Sequence, residues 1–182
     1  MIAIMCDELY RSFRDLPRRE DELEPRETLF HPGDAVRRVY FVTTGAIHLV
    51  RHQASGTSLV IQRASAGQIV AEASLFASRY HCHAVAMLPT AVWSVAKSEL
   101  LGRISADPRI GLIFMKTLAH ELQHSRFQVE VLSMKTVAAR LDAWIEWNGE
   151  LPPKGEWVSL AAELAVSPEA LYREIGRRRT DR

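Results

Sequence analysis

The stretch AEASLFASRYHCHAVA, residues 71–86, gathers an acid, a short helical run and a knot of histidine and cysteine. Glu72 opens the helical run. The backbone N–H groups that follow, at Ala73 and Ser74, offer a small anion both hydrogen-bond donors and the positive end of aligned peptide dipoles. An anion pocket, a metal site and a simple turn are all compatible with these residues. For a metal, His81 and His83 would share one face of a strand, with Cys82 on the other. A closed zinc site asks for four ligands, and no second cluster such as CxxC occurs in the chain. His120 and His124, one helical turn apart, complete a set only if the fold carries them there. The expectation is no metal site and no haem.

A second concentration of chemistry lies in the tail SLAAELAVSPEALYREIGRRRTDR, residues 159–182. It carries two short helical patterns. The first runs over Leu160–Ala165. The second starts with Ser167 at the N-cap, Pro168 at the first helical position and Glu169 in the first turn, and continues toward Arg177. Two helices joined by a tight turn, the second basic, suit the major groove of DNA. Arg173 is the candidate for a bidentate contact to guanine, and Glu169 could accept from cytosine N4. Arg177, Arg178 and Arg179 are phosphate candidates. From this segment alone, a capped helical hairpin with a solvated basic end fits equally well.

The elements that must position these residues follow from periodicity. Between Thr28 and Arg103, glycines fall at 33, 45, 56 and 67 with apolar, β-rich runs between them. Tyr40 with Val42, Ile47 with Leu49, and Leu59 with Ile61 alternate with different neighbours, as in half-buried strands. Short strands at this spacing predict an antiparallel roll or barrel. Residues 1–24 read as a helical, charged lead-in broken at Pro17. From Pro108 to Trp147 a long helix is expected. Met115, Leu118, Leu122, Ser125, Val129, Leu132 and Thr136 alternate at spacings of three and four, a coiled-coil seam that predicts a parallel homodimer. A second apolar set, Ile110, Ile113 and Phe114, is free to pack on the roll. NGELPPKGEW, residues 148–157, is a linker. The fold class is therefore α+β, with domains expected at 1–107 (roll), 108–147 (dimerisation helix) and 148–182 (helix-turn-helix).

Composition narrows the function classes. A net charge of +1 over 182 residues draws in neither nucleic acid nor membrane in bulk, so any basic face must be local. Cys6 and Cys82 make no disulfide framework, which favours a reduced, cytoplasmic setting. No apolar run reaches the roughly 18 residues of a membrane span, and MIAIMCDE lacks the features of a signal peptide. No nucleophile–base–orienter set is visible, so an enzyme is not expected.

Taken together, LFHPGD (29–34), VYFVTTGAIHLV (39–50), GQIVAEASLF (67–76), VAARLDAWI (137–145) and LAAELAVSPEALYR (160–173) resemble the CRP/FNR family of bacterial transcription regulators. The resemblance covers about residues 25–178. It implies a cyclic-nucleotide-binding β-roll, a dimerising helix and a winged helix-turn-helix, acting as a dimer on double-stranded DNA and often recruiting or blocking RNA polymerase. It also implies an effector pocket in which Glu72 holds a ribose hydroxyl and the helix at Ala73 and Ser74 meets the phosphate. Ser125, with Arg126 beside it, falls where the family meets the adenine. Cys82 stands where an arginine should pair with the phosphate, His83 where serine or threonine is usual, and Ala71 where glycine is usual. Losing a charge-assisted hydrogen bond of about 1.5–3 kcal/mol weakens cyclic nucleotide binding by about tenfold to more than a hundredfold. Cyclic AMP is thus not the expected ligand; another small effector is. Arg79 is a substitute cation of unknown direction. Cys6 alone cannot form the iron–sulfur leader of oxygen-sensing relatives. The family's β-hairpin wing would follow Gly176, and the sequence ends at Arg182, so a minimal DNA-binding head is expected. The rival reading is a cyclic-nucleotide or small-ligand sensor module that acts through protein contacts without strong DNA binding.

Overall fold

The chain turns back on itself at its positive-φ glycines, and a computed structural model describes residues 11–13, 15–53, 56 and 58–180. The lead-in over residues 1–10 and Cys6 lie outside the described residues. Gly45 shows why glycine is required: at φ 85 a Cβ would meet the Pro89 carbonyl at 2.6 Å. The chain divides into two compact units, Met1–Leu118 and Ala119–Arg182.

The first unit is a roll of two four-stranded antiparallel sheets. One has the order β1 (Arg18–Leu23), β8 (Thr90–Ala96), β3 (Arg38–Thr44), β6 (Ile69–Val70). The other has the order β2 (Thr28–Phe30), β7 (His83–Ala86), β4 (Ala46–His52), β5 (Ser58–Ser65). Between them lies a core of Val42, Ile47, Leu49, Val70, Ala84 and Val92, which buries one side chain in two from most strands. The first sheet is covered on its other face as well. There Phe41 stacks on Trp93 with ring centroids 4.1 Å apart. Helix α1 (Lys97–Ala106) and the start of α2 (Pro108–Ser133) add Leu100, Ile110 and Phe114 to that cluster, and Ile113 packs on its rim. The second apolar set of the long helix therefore packs as expected.

Three expectations change. Arg18–Leu23 is not part of a helical lead-in or connector; it is an edge strand, paired from Arg18↔Val95 to Leu23↔Thr90. Its charges form local pairs, Arg18–Glu20 and Arg19–Asp21, which suit an edge that must not recruit another strand. Leu59 and Ile61 are not half-buried: they stand 50% and 42% exposed on the edge strand β5. The long helix also stops at Ser133. Residues 134–136 leave the helix, and α3 (Val137–Asn148) restarts it with the Thr136 hydroxyl accepting the Ala139 N–H at 3.1 Å.

The second unit holds the rest of α2, α3, α4 (Trp157–Glu163) and α5 (Pro168–Thr180). Phe127, Val131, Leu141, Trp144, Trp157, Leu160, Leu164, Leu171 and Ile175 form its core. On α2, Met115, Leu122, Val129 and Leu132 remain exposed.

Candidate effector pocket and nucleic-acid interface

In the roll, strand β6 runs into a 3₁₀ turn over Glu72–Phe76. Ala71 precedes it in the left-handed region at φ 57, which costs about 1 kcal/mol for a residue with a Cβ. One side chain holds this entry. The Gln62 Oε1 accepts the Ala71 N–H at 3.1 Å, and its Nε2 donates to Glu72 Oε2 at 2.5 Å and to the Ile69 carbonyl at 3.4 Å. At the exit, Lys97 Nζ donates to the Ala77 carbonyl at 2.7 Å. Glu72, Ala73 and Ser74 thus share one short, clamped segment.

Cys82 points into the roll core, 4% exposed, and burial pushes its thiol pKa up while Arg51 opposes this. An apolar thiol, not a cation, occupies this part of the interior. Arg79 is turned away to the Gly33 carbonyl, 2.5 Å from its Nη1. His83, the first residue of β7, lies on the opposite face from Cys82 and Ala84. There its Nδ1 is 3.2 Å from His31 Nδ1, and its ring centre is 4.9 Å from that of His52. Burial, then His52 and His31, push its pKa down. His81 precedes the strand and is exposed. Ser125 and Arg126 are exposed on α2, in the second unit.

In the second unit, α4 ends in a Schellman turn: Val166 N–H donates to the Ala161 carbonyl at 2.9 Å and Ala165 N–H to that of Ala162 at 3.3 Å. Ala165 takes the left-handed position at φ 50. Ser167 caps α5, its Oγ accepting the Ala170 N–H at 3.2 Å. Glu169 has its pKa lowered by its own backbone N–H and then by the Ser167 hydroxyl. Leu171 and Ile175 face the core, which leaves Glu169, Arg173 and Arg177 on an exposed stripe at helical spacing. Arg177 also reaches Glu174 at 3.0 Å. Arg178 lies underneath, donating to Glu174 at 2.8 Å, Asp142 at 2.6 Å and the Ala138 carbonyl at 3.0 Å. Arg179 sits 5.4 Å over the Trp157 ring.

Arg140 holds this head together. Its guanidinium donates to the carbonyls of Leu132 (3.3 Å), Met134 (2.9 Å), Leu164 (2.8 Å) and Ala165 (3.1 Å). These carbonyls lie at or just beyond the C-terminal ends of α2 and α4, where backbone acceptors otherwise lack partners. Nearby, His124 Nε2 lies 3.8 Å from Glu163, which raises its pKa.

Residues 20–107 match the family model of the cyclic nucleotide-binding domain. The global nitrogen regulator of Synechococcus elongatus is 24% identical over 169 residues, covering 88% of this chain and 74% of that protein. Over residues 20–107 the chain is thus similar to cyclic nucleotide-binding domains, and over most of its length to a global nitrogen regulator. Among solved structures, FixK2 from Bradyrhizobium japonicum superposes with a TM-score of 0.70 at 20% identity, over 91% of this chain and 86% of that one. The c-di-GMP responsive global regulator CLP of Xanthomonas campestris superposes with a TM-score of 0.66 at 18% identity, over 96% and 92%. These likenesses share the fold of a roll followed by a long helix and smaller helices.

Within that fold, sequence reasoning placed Glu72, Ala73 and Ser74 on one segment and Ser167, Glu169 and Arg173 at the start of one helix. It missed Gln62 and Arg140. Gln62 is the one uncharged polar residue inside the run LVIQRA, a weak signal of an inward hydrogen bond. Arg140 had no signal, because its partners are backbone carbonyls, two of them 24 and 25 residues away.

Proposed function

We propose that this chain is a homodimeric DNA-binding transcription regulator, not an enzyme, working in the cytoplasm with a roll that senses a small effector other than cyclic AMP. The observation that carries the reading is the stripe Glu169–Arg173–Arg177, exposed on a capped helix whose other face is buried through Leu171 and Ile175. A helix anchored in this way presents base-reading side chains at its N-terminal half and phosphate-binding ones beyond. Arg173 is the base reader. Arg177 and Arg179 serve the phosphates, whereas Arg178 supports the helix from beneath. The exposed apolar stripe Met115, Leu122, Val129 and Leu132 supports pairing with a second copy, which would set two heads against adjacent turns of a duplex. RNA polymerase is the partner such regulators act on.

The effector side follows from Cys82. A buried thiol in place of a guanidinium removes the partner of a cyclic phosphate, and the Glu72 carboxylate is held in place by the Gln62 amide. A domain map of 1–107, 108–147 and 148–182 serves this mechanism, with the interruption at 134–136 marking the passage toward the head. The test is selection of a duplex from a random pool, followed by anisotropy titration at several salt concentrations. Binding that loses sequence preference on Arg173→Ala, and salt sensitivity on Arg179→Ala, supports the reading. No complex at low salt refutes DNA binding and leaves the protein-contact sensor. Calorimetric silence with cyclic AMP is expected, and tight binding would overturn the effector assignment.

A further inference from the structure

We propose that His31, His83 and His52 form a divalent transition-metal site on the outer face of the roll, of the class that takes zinc, nickel or copper through imidazole nitrogen. The three rings come from three separate elements. His31 follows β2 directly, His83 begins β7 and His52 ends β4, and β7 lies between the other two strands in the sheet. The His31 and His83 Nδ1 atoms are 3.2 Å apart with rings crossed at 87°. Two nitrogens each about 2.0–2.1 Å from one tetrahedral ion stand about 3.3 Å apart. The pair therefore already has the bite of a chelate.

The backbone holds that bite in place. His31 starts the turn His31-Pro32-Gly33-Asp34, with Gly33 at φ 90 and the Asp34 N–H donating to the His31 carbonyl at 3.2 Å. The Asp34 carboxylate accepts the His31 N–H at 2.8 Å and closes the turn from the other side. His83 is fixed by pairing with Val50 of β4. For His52, Nδ1 lies 2.8 Å from the Ser58 hydroxyl, which leaves Nε2 to ligate and supplies the outer hydrogen bond that orients a metal-binding histidine. As they stand, no group of three ligating side chains among the described residues is placed to hold an ion; the His31 and His83 nitrogens are hydrogen-bonded to each other at the spacing an ion would need, so an ion would displace the proton they share, and the His52 ring must turn to complete the set. Imidazole-only donors select zinc, nickel and copper over magnesium and calcium. The ion would tie the 31–34 turn to the ends of β4 and β7. This assignment is independent of the DNA-binding reading.

Calorimetric titration of the chelator-treated, untagged full chain with zinc chloride, repeated with nickel chloride, tests it. The expected result is one ion per chain, with affinity lowered at least about tenfold by His31→Gln and by His83→Gln, and less by Ser58→Ala. His81→Ala leaves it unchanged. Zinc should also raise the melting temperature of the native chain and not that of His31→Gln. His31 is an exposed turn residue, so that variant remains decisive if His83→Gln fails to fold. Silence at millimolar zinc, native affinity in His31→Gln, or a loss that follows His81 instead overturns the site.

Discussion

Two alanines, Ala71 in the roll and Ala165 in the helical head, occupy the same left-handed backbone region, at φ 57 and φ 50. Each enters a segment that carries the proposed function, and each is held by one polar side chain from elsewhere in its unit. The supports differ in kind. Gln62, a neutral amide, reaches Ile69, Ala71 and Glu72 among the described residues, so it fixes a single loop. Arg140 reaches four carbonyls and ties the end of α2, its own helix α3 and the turn after α4. The lesson is one of reach. A neutral clamp serves local ligand geometry, whereas a guanidinium with several donors couples whole elements.

The sharpest way to break this contrast is Arg140→Ala. It leaves several carbonyls without a partner, and it should lower stability by about 3 kcal/mol in denaturant unfolding followed by tryptophan fluorescence. DNA binding should fall with it. Arg173→Ala should do the opposite: about 2 kcal/mol lost in affinity for the selected duplex, measured by anisotropy, with unfolding unchanged. Gln62→Ala should cost about 1.5 kcal/mol in the same unfolding assay and leave DNA affinity in the absence of effector intact. Ala71→Gly and Ala165→Gly should each stabilise by about 1 kcal/mol, since glycine takes positive φ without strain. A destabilising glycine at either site would show that the clamp has already removed the strain.

The smallest effect is on pH. Glu163 raises the His124 pKa in the folded state, so the charged pair adds stability fully below the unfolded value of about 6.5. That contribution is lost as pH rises through the raised folded value. Unfolding midpoints should drift down across this window and flatten in His124→Gln. A midpoint that rises with pH in the native chain, and not in the variant, would reverse the assignment.

What could be read from the sequence divides along the same line. The glycine spacing marked the strands of the roll, and Ser167-Pro168-Glu169 marked the start of α5, because turns and caps are local chemistry. The interruption at 134–136 was hidden. Leu132 and Thr136 continue the apolar spacing of the seam, and no proline or glycine marks the stop, although Thr136 is a sound N-cap. The edge strand Arg18–Leu23 was hidden because its six residues, RREDEL, include five charges, and only its pairing with β8 makes it a strand. Sequence spacing pairs His83 with its near neighbour His81, whereas the sheet delivers His31 and His52. Gln62 and Arg140 likewise work between elements, Gln62 over 7 to 10 residues and Arg140 over 6 to 25, where no helix or strand period marks the pairing.

The central claim is that paired copies present Arg173 to a duplex, and sedimentation equilibrium of the chain with its selected duplex tests it most directly. Two chains per duplex are predicted, with affinity for that duplex lowered about thirtyfold by Arg173→Ala while the dimer persists. One chain per duplex, or a complex indifferent to Arg173, would contradict it.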